Sequence, residues 1–100
     1  MRSRPHEEYE ANGQRFFFLY DRYQPNILHV VLRGTTPEDA IRAYFEAQAT
    51  WNAERQRFET FGERHGVYWI RPAQYPNVVL IISCFPRADA ADTSRDSSNA

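Results

Sequence analysis

Residues 16–20 have the sequence FFFLY and residues 78–85 have the sequence VVLIISCF, and these two stretches decide the fold. A strand with one face in water alternates apolar and polar residues. Neither stretch alternates in this way, so a sheet built from them carries large apolar side chains on both faces. Each face then needs a cover, which can be a helix, a second protein chain or a ligand.

The sequence predicts an amino-terminal hairpin beside the first of these stretches. Residues 6–11 and the residues from 14 onward flank Asn12 and Gly13, the dipeptide that best supplies the two positive φ values of a type I′ turn. The first strand contains three glutamates, which is typical of an edge strand.

Three further strands are predicted along the chain. Residues 27–33 are rich in β-branched side chains and end at Gly34, so they are expected to complete a three-stranded meander. Residues 67–71 precede the strand over residues 77–85. Two prolines in the intervening loop favour an antiparallel pair joined by that loop.

A helix is predicted to begin at Pro37. Thr36 can accept a hydrogen bond as the N-cap residue, proline is favoured at the first helical position, and Glu38 and Asp39 place acids in the first turn. Apolar residues then recur on one side of the helix through Phe58, which predicts one amphipathic helix over residues 37–61. Gly62 or Gly66 would end it.

Such a helix would extend beyond its sheet. At 1.5 Å per residue it would be about 37 Å long, whereas an eight-residue strand spans about 26 Å. Its second half is therefore expected to contact another chain, with Trp51 and Phe58 as anchors and Arg55 between them. The alternative is that the helix breaks near residues 50–52 and that the chain folds back on the same domain.

Together these elements predict an α+β domain over residues 1–85 with the order β-β-β-α-β-β. One antiparallel sheet of four to five strands would carry one long amphipathic helix on one face. Residues 86–100 contain only small and polar side chains and are expected to form a disordered tail. No apolar run approaches 18 residues and no apolar segment follows the first basic residues, so we expect a cytoplasmic protein without a membrane span.

The composition and the motifs argue against several classes of chemistry. Twelve basic and 13 acidic residues give a formal net charge of −1, which is not the basic footprint of a nucleic-acid-binding protein. His6, His29 and His65 do not have metal-ligand spacing, and the only cysteine, Cys84, is expected to be a buried apolar residue. We therefore expect no metal, no cofactor and no catalytic group.

An uncovered sheet face without catalytic residues predicts a small protein-binding module, such as an adaptor, regulator or inhibitor. It would act as a homodimer through its apolar sheet face or its overhanging helix, and would bind a protein target. The predicted interface residues are Tyr44, Trp51, Arg55, Phe58, Phe61, Phe16, Phe18 and Tyr20.

Two alternatives remain open. Arginines interleaved with aromatic residues could bind single-stranded nucleic acid, by stacking bases and holding phosphates. A small enzyme or a binder of an apolar ligand would instead have a concave pocket between sheet and helix, with Tyr20 as one polar handle. The other candidate residues for these alternatives are Arg15, Arg22, Tyr23, His29, Arg33, Tyr68, Trp69 and Arg71. Nucleic-acid binding predicts that the arginines form a contiguous stripe.

Overall fold

The computed structural model describes residues 6–87, which form a six-stranded mixed sheet with two short helices packed on it. The elements are β1 His6–Ala11, β2 Gln14–Leu19, α1 His29–Leu32, α2 Pro37–Glu46, β3 Thr50–Asn52, β4 Arg57–Phe61, β5 His65–Ile70 and β6 Val78–Pro86. The predicted α+β class is confirmed. Residues 1–5 and 88–100 lie outside the described residues, so the domain boundary and the disordered tail stay predictions.

The sheet has the strand order β1-β2-β6-β5-β4-β3. All neighbours are antiparallel except β2 and β6, which pair in parallel with Phe16 beside Val79 and Phe18 beside Ile81. The prediction of a purely antiparallel sheet is therefore wrong. The two apolar stretches pair with each other near the centre of the sheet, where strands that are apolar on both faces are expected to lie.

The hairpin between β1 and β2 is confirmed. Asn12 and Gly13 have φ values of 53° and 78°, as a type I′ turn requires. The predicted third strand over residues 27–33 is wrong, because in that range only Leu28 makes a strand-like bridge, to Tyr20. The residues that follow it form α1, which places Val30 in the core at 2% exposure.

The predicted start of the long helix is confirmed, but its length is wrong. Thr36 Oγ1 accepts the backbone N–H of Asp39 at 3.1 Å, and the Asp39 carboxylate accepts the N–H of Thr36 at 3.0 Å. The helix ends at Glu46, so there is no overhanging helix. Within residues 6–87, no helix is long and apolar enough to span a membrane.

The second half of the predicted helix is a hairpin. In β3 and β4, Trp51 pairs with Phe58 across the two strands, and Gln56 in the turn has a φ of 56°. A separation of seven residues fits two helical turns and also fits this cross-strand pair, so the apolar spacing did not distinguish them. The alternative of a break near residues 50–52 comes closer, since the chain does fold back on the same sheet.

Both helices pack on the same side of the sheet, which we call the covered face. Gly62 and Gly66 were the two predicted ends of the long helix, but Gly62 lies in the turn between β4 and β5 and Gly66 lies in β5. A Cβ at Gly62 would lie 2.8 Å from the Cα of Ala43 in α2. This close approach seats the helix on the sheet. The fully buried side chains of the covered face include Phe16, Phe18, Val67, Val79 and Ile81.

Candidate protein-binding face

The other side of the sheet, which we call the open face, carries no helix of the described chain. Successive residues of a strand point to opposite sides of the sheet. The open face therefore carries the strand residues that lie between those of the covered face. Its principal side chains are Glu8, Arg15, Phe17, Leu19, Arg57, Glu59, Phe61, Tyr68, Ile70, Leu80, Ile82 and Phe85. We expected helical cover on one side of the sheet and none on the other, and the structure has this arrangement.

One group of rings on the open face surrounds Tyr68. The ring of Phe85 lies 4.9 Å from it and the ring of Phe61 lies 6.5 Å from it, centroid to centroid. The guanidinium of Arg57 lies 3.5 Å from the centroid of the Tyr68 ring, which is a close cation–π contact. These four residues, which we call the Tyr68 cluster, pack across three neighbouring strands.

A glycine allows the Tyr68 cluster to pack closely on the sheet. A Cβ on Gly66 would be 2.5 Å from two ring atoms of Phe85 and 3.2 Å from the ring of Phe61. The Phe85 ring therefore covers the backbone of Gly66 directly, where any larger residue would push it outward. The result is a closely packed aromatic cluster whose rings are tilted or edge-on to one another.

A second group of rings lies toward the β1 side of the open face. His6 stacks on Phe17 with a centroid distance of 3.9 Å, and Tyr75 from the loop before β6 meets the same ring at 5.6 Å. These contacts leave Phe17 only 6% exposed. We call His6, Phe17 and Tyr75 the Phe17 cluster.

Large apolar side chains nevertheless stay exposed on this side of the protein. Leu19 and Phe61 are each 42% exposed, Ile82 is 37% exposed and Tyr75 is 50% exposed. Ile82 is the additional residue of a β-bulge, because Tyr68 pairs with Ser83 whereas Trp69 pairs with Ile81. Rings packed within one sheet surface thus cover the open face only in part.

Charged pairs flank this apolar centre on both sides. Arg15 Nε donates to Glu8 at 2.6 Å on the β1 side, and Arg57 Nε donates to Glu59 at 2.9 Å on the β4 side. The pKa of Glu59 is held below its usual value by the amide of Asn52, which donates to it at 2.9 Å, and also by Arg57. An apolar centre with a polar rim is the usual composition of a protein interface.

The two edges of the sheet are poor sites for association. The strand β1 carries Glu7, Glu8 and Glu10, and β3 at the other edge has only three residues. Charged residues and short edge strands both prevent a further strand from pairing. The open face, and not an edge, is therefore the available surface of the sheet.

The predicted interface residues are divided by the fold. Phe16 and Phe18 are 0% exposed on the covered face, so they are core residues that no partner can reach in the folded chain. Tyr20 donates a hydrogen bond to Glu7 at 2.9 Å, and Tyr44 packs its ring 5.1 Å from that of Trp69. These four do not lie on the open face.

The remaining predicted interface residues come from the hairpin that replaced the helix. Trp51 and Phe58 lie on the side of the covered face, with ring centroids 4.9 Å apart, and Arg55 lies in the turn between their strands. Phe61 is the one residue of the predicted interface set that the fold places on the open face.

The residues of the two alternative functions do not form one surface. Arg15 and Tyr68 lie on the open face, where each already has a charged or aromatic partner, whereas Trp69 is buried on the covered face. The others lie in loops or at the ends of elements: Arg22, Tyr23, His29, Arg33 and Arg71. This arrangement gives no contiguous arginine stripe along the described chain.

His29 has a structural role in the loop before α1. The carboxylate of Asp21 accepts the backbone N–H groups of Tyr23 and Gln24 and lies 2.9 Å from His29 Nδ1, which together hold the loop before α1. These hydrogen bonds, led by that of His29, lower the pKa of Asp21.

Cys84 is 2% exposed, and burial raises the pKa of its thiol to about 11, so it is not a reactive thiolate. No group of three His, Cys, Asp or Glu residues within residues 6–87 could hold a metal ion.

Sequence reasoning missed most of the open face. Phe17, Leu19, Tyr75, Ile82 and Phe85 were not among the predicted interface residues. The signal was present at residues 16–20, since successive residues of a strand must lie on opposite faces. Phe16 and Phe18 were placed on the wrong side because the register that assigns the faces depends on the partner strand.

Comparison of the chain with protein-family models, with curated proteins and with solved structures gave no significant match. The surface of the chain itself is therefore what points to its function.

Proposed function

We propose that the protein is a small protein-binding module that associates with a second copy of itself through its open face. The observation that carries the proposal is the set of large apolar side chains left exposed there: Leu19, Phe61, Ile82 and Tyr75. Several exposed apolar side chains on one sheet face without helical cover are typical of an interaction site. Two sheets can pack face to face about 10 Å apart with interdigitating side chains.

The size of the open face is sufficient for a dimer of modest affinity. Six strands at about 4.8 Å spacing and about six residues in length give a face of roughly 600 Å². Two copies would then bury roughly 1,200 Å², which is at the lower end of specific interfaces. Buried area does not fix affinity, so the dimer is sought over a series of micromolar concentrations, where dimer and monomer can both be observed.

The distribution of charge suits a symmetric pairing. A twofold axis near the middle of the sheet would place the β1 side of one copy against the β4 side of the other. The Phe17 cluster of each copy would meet the Tyr68 cluster of its partner. The rims that then face each other each contain a neutralised pair, Arg15 with Glu8 and Arg57 with Glu59, so no uncompensated like charges are brought together.

The test is the solution mass of the full chain, measured by light scattering after size exclusion over a series of micromolar concentrations. We expect a mass that rises toward twice the 11.8 kDa of one chain. A mass that stays at that of one chain over the whole concentration series contradicts the homodimer.

Two leucines provide a matched pair of variants for locating the interface. Leu19 on the open face is 42% exposed, and Leu32 in α1 on the helix side is 40% exposed. Leu19→Lys should make the protein monomeric with its fold intact, because the new charge would be buried in the interface. Leu32→Lys should leave the dimer unchanged. Equal effects of the two variants would contradict the assignment of the interface to the open face.

A further inference from the structure

Part of the helix-bearing side of the sheet is left without helical cover, and it forms a cleft distinct from the open face. The helix α2 ends at Glu46 and packs mainly on β5 and β4, with Tyr44 next to Trp69 near the end of β5. A cleft of about 440 Å³ lies there, lined by Trp51, Gln56, Phe58, Ile70 and Arg71. This volume is within the usual range for sites of small molecules, roughly 300–1,000 Å³.

An aromatic row supports one wall of the cleft. The ring of Trp51 lies 4.9 Å from that of Phe58, which in turn stacks on Trp69 at 4.4 Å with an interplanar angle of 19°. Trp69 is fixed in the core, since its indole N–H donates to Thr60 Oγ1 at 3.0 Å. The row therefore holds Trp51 in place from behind, yet Trp51 remains 48% exposed.

A guanidinium with weak existing partners lies in the same cleft. Arg71 donates to the carbonyl of Pro76 and to the hydroxyl of Tyr44, both at 3.4 Å. These distances are at the long limit for a hydrogen bond, so Arg71 can exchange them for the shorter, charge-assisted bonds that a carboxylate or phosphate offers. Arg71 is also the only charged residue among the five that line the cleft.

We propose that this cleft binds a planar aromatic ring that carries an anionic group. The ring would stack on Trp51, and the anion would accept hydrogen bonds from the guanidinium of Arg71. Nucleotides combine these two chemical features, whether they are free in solution or belong to a single strand of nucleic acid. The proposal does not depend on the proposed homodimer, because the residues that would hold the ligand, Trp51 and Arg71, lie on the helix side of the sheet, and the cleft shares only Ile70 with the open face.

The test follows amide and indole N–H resonances of the ¹⁵N-labelled full chain during titration with adenosine monophosphate. We expect the Trp51 indole resonance to shift together with the backbone amides of Gln56, Phe58 and Arg71. The indole resonance of Trp69 should stay in place, because its N–H remains bonded to Thr60. Absence of shifts at millimolar adenosine monophosphate, or shifts spread evenly over the protein, would overturn the proposal.

Two variants separate the ring from the anion. Arg71→Gln should weaken the binding of adenosine monophosphate about tenfold, as loss of a charge-assisted hydrogen bond does, and should hardly change the binding of adenosine. Trp51→Leu should weaken the binding of both adenosine monophosphate and adenosine. Trp51→Phe should bind both more tightly than Trp51→Leu does. Equal affinity for adenosine monophosphate before and after Arg71→Gln would refute the role of the anion.

Matched controls come from the same chain. Arg33→Gln removes one positive charge outside the cleft, and Tyr23→Leu removes an aromatic ring that is 84% exposed in a loop. Neither should change the affinity, and a loss equal to that of the cleft variants would mean that binding is nonspecific and would overturn the site.

A short oligodeoxyadenylate identifies the source of the ligand. Tighter binding per nucleotide than the monophosphate, with a steep dependence on salt, would assign the cleft to a single strand. Equal binding per nucleotide would assign it to free nucleotides. The Leu19→Lys variant should bind as the unaltered chain does, so a failed dimer and a failed cleft give different results.

Discussion

The covered face and the open face are built from alternate residues of the same strands, yet they are buried by different means. On β2, Phe16 and Phe18 lie on the side of the helices and are 0% exposed, while Phe17 between them is 6% exposed and Leu19 is 42% exposed. Helices remove side chains from water completely. Rings that pack within the surface of one sheet cover their neighbours but leave themselves exposed.

This contrast explains why the open face is the proposed interface. The apolar content of the two faces is similar along β2 and β6, so hydrophobicity alone does not distinguish core from interface. What distinguishes them is whether the chain supplies a second layer. The chain ends α2 after ten residues and uses the following segment to extend the sheet, which enlarges both faces and covers neither.

The largest expected difference between the faces is in stability, and adjacent residues measure it. Phe18→Ala should lower the free energy of unfolding by about 3–5 kcal/mol, because it leaves a cavity under the helices. Leu19→Ala, one residue along, should cost less than about 1 kcal/mol when measured on the monomer. Urea denaturation of both variants at low protein concentration checks this. Comparable losses would mean that the open face is as well packed as the core.

Two glycines give the next comparison. A Cβ on Gly62 would meet the backbone of α2, whereas a Cβ on Gly66 would meet the Phe85 ring, which can turn outward. Gly62→Ala should therefore cost about 1–3 kcal/mol of unfolding free energy. Gly66→Ala should cost less than Gly62→Ala but should weaken the proposed dimer, because the displaced Phe85 ring changes the shape of the open face.

Thermal unfolding and solution mass of the two glycine variants provide the measurements. A greater loss of stability in Gly66→Ala would mean that the Phe85 ring is held as rigidly as the helix backbone.

The last comparison concerns the dependence of stability on pH at the covered side of β1. Burial, followed by a hydrogen bond to Glu7, raises the pKa of Tyr9 from 10.0 to about 12. The unfolded chain therefore loses this proton before the folded chain does. The stabilisation from Tyr9 is complete below pH 10 and is lost as the pH rises toward about 12.

Denaturation of the wild type and of Tyr9→Phe at a series of alkaline pH values measures this contribution. Tyr9→Phe should flatten the fall in stability above pH 10. If the fall in stability at alkaline pH is the same in the variant, the Tyr9 hydroxyl does not make its hydrogen bond to Glu7 in the folded state.

Local chemistry made several elements predictable. The Asn12-Gly13 turn needs positive φ at both positions, and Thr36 with Asp39 closes the first turn of α2 by hydrogen bonds within four residues. The end of α2 was not predictable in the same way. Trp51 and Phe58 suit a helix by their spacing and a hairpin by their pairing. In the hairpin, Phe58 also stacks on Trp69 from another strand, a contact that local spacing does not reveal.

Much less of the candidate site could be predicted. The sequence showed that apolar residues occur on both sides of the strands, but not which residues share a side with the helices. The predicted interface included Phe16 and Phe18 from the core and omitted Phe17 and Leu19 between and beside them. A shift of one residue in the strand pairing exchanges the two faces of a strand. Only the pairing of β2 with β6 decides which residues of β2 lie on which face.

By itself, the sequence determined the α+β class, the first hairpin, the start of the helix and the surplus of apolar surface, because each depends on residues close together in the chain. The tertiary structure alone decided the parallel pairing of β2 with β6, the hairpin over residues 50–61 and the identity of the open face. These depend on contacts between residues far apart in the chain, whose free energies do not appear in local pattern or spacing.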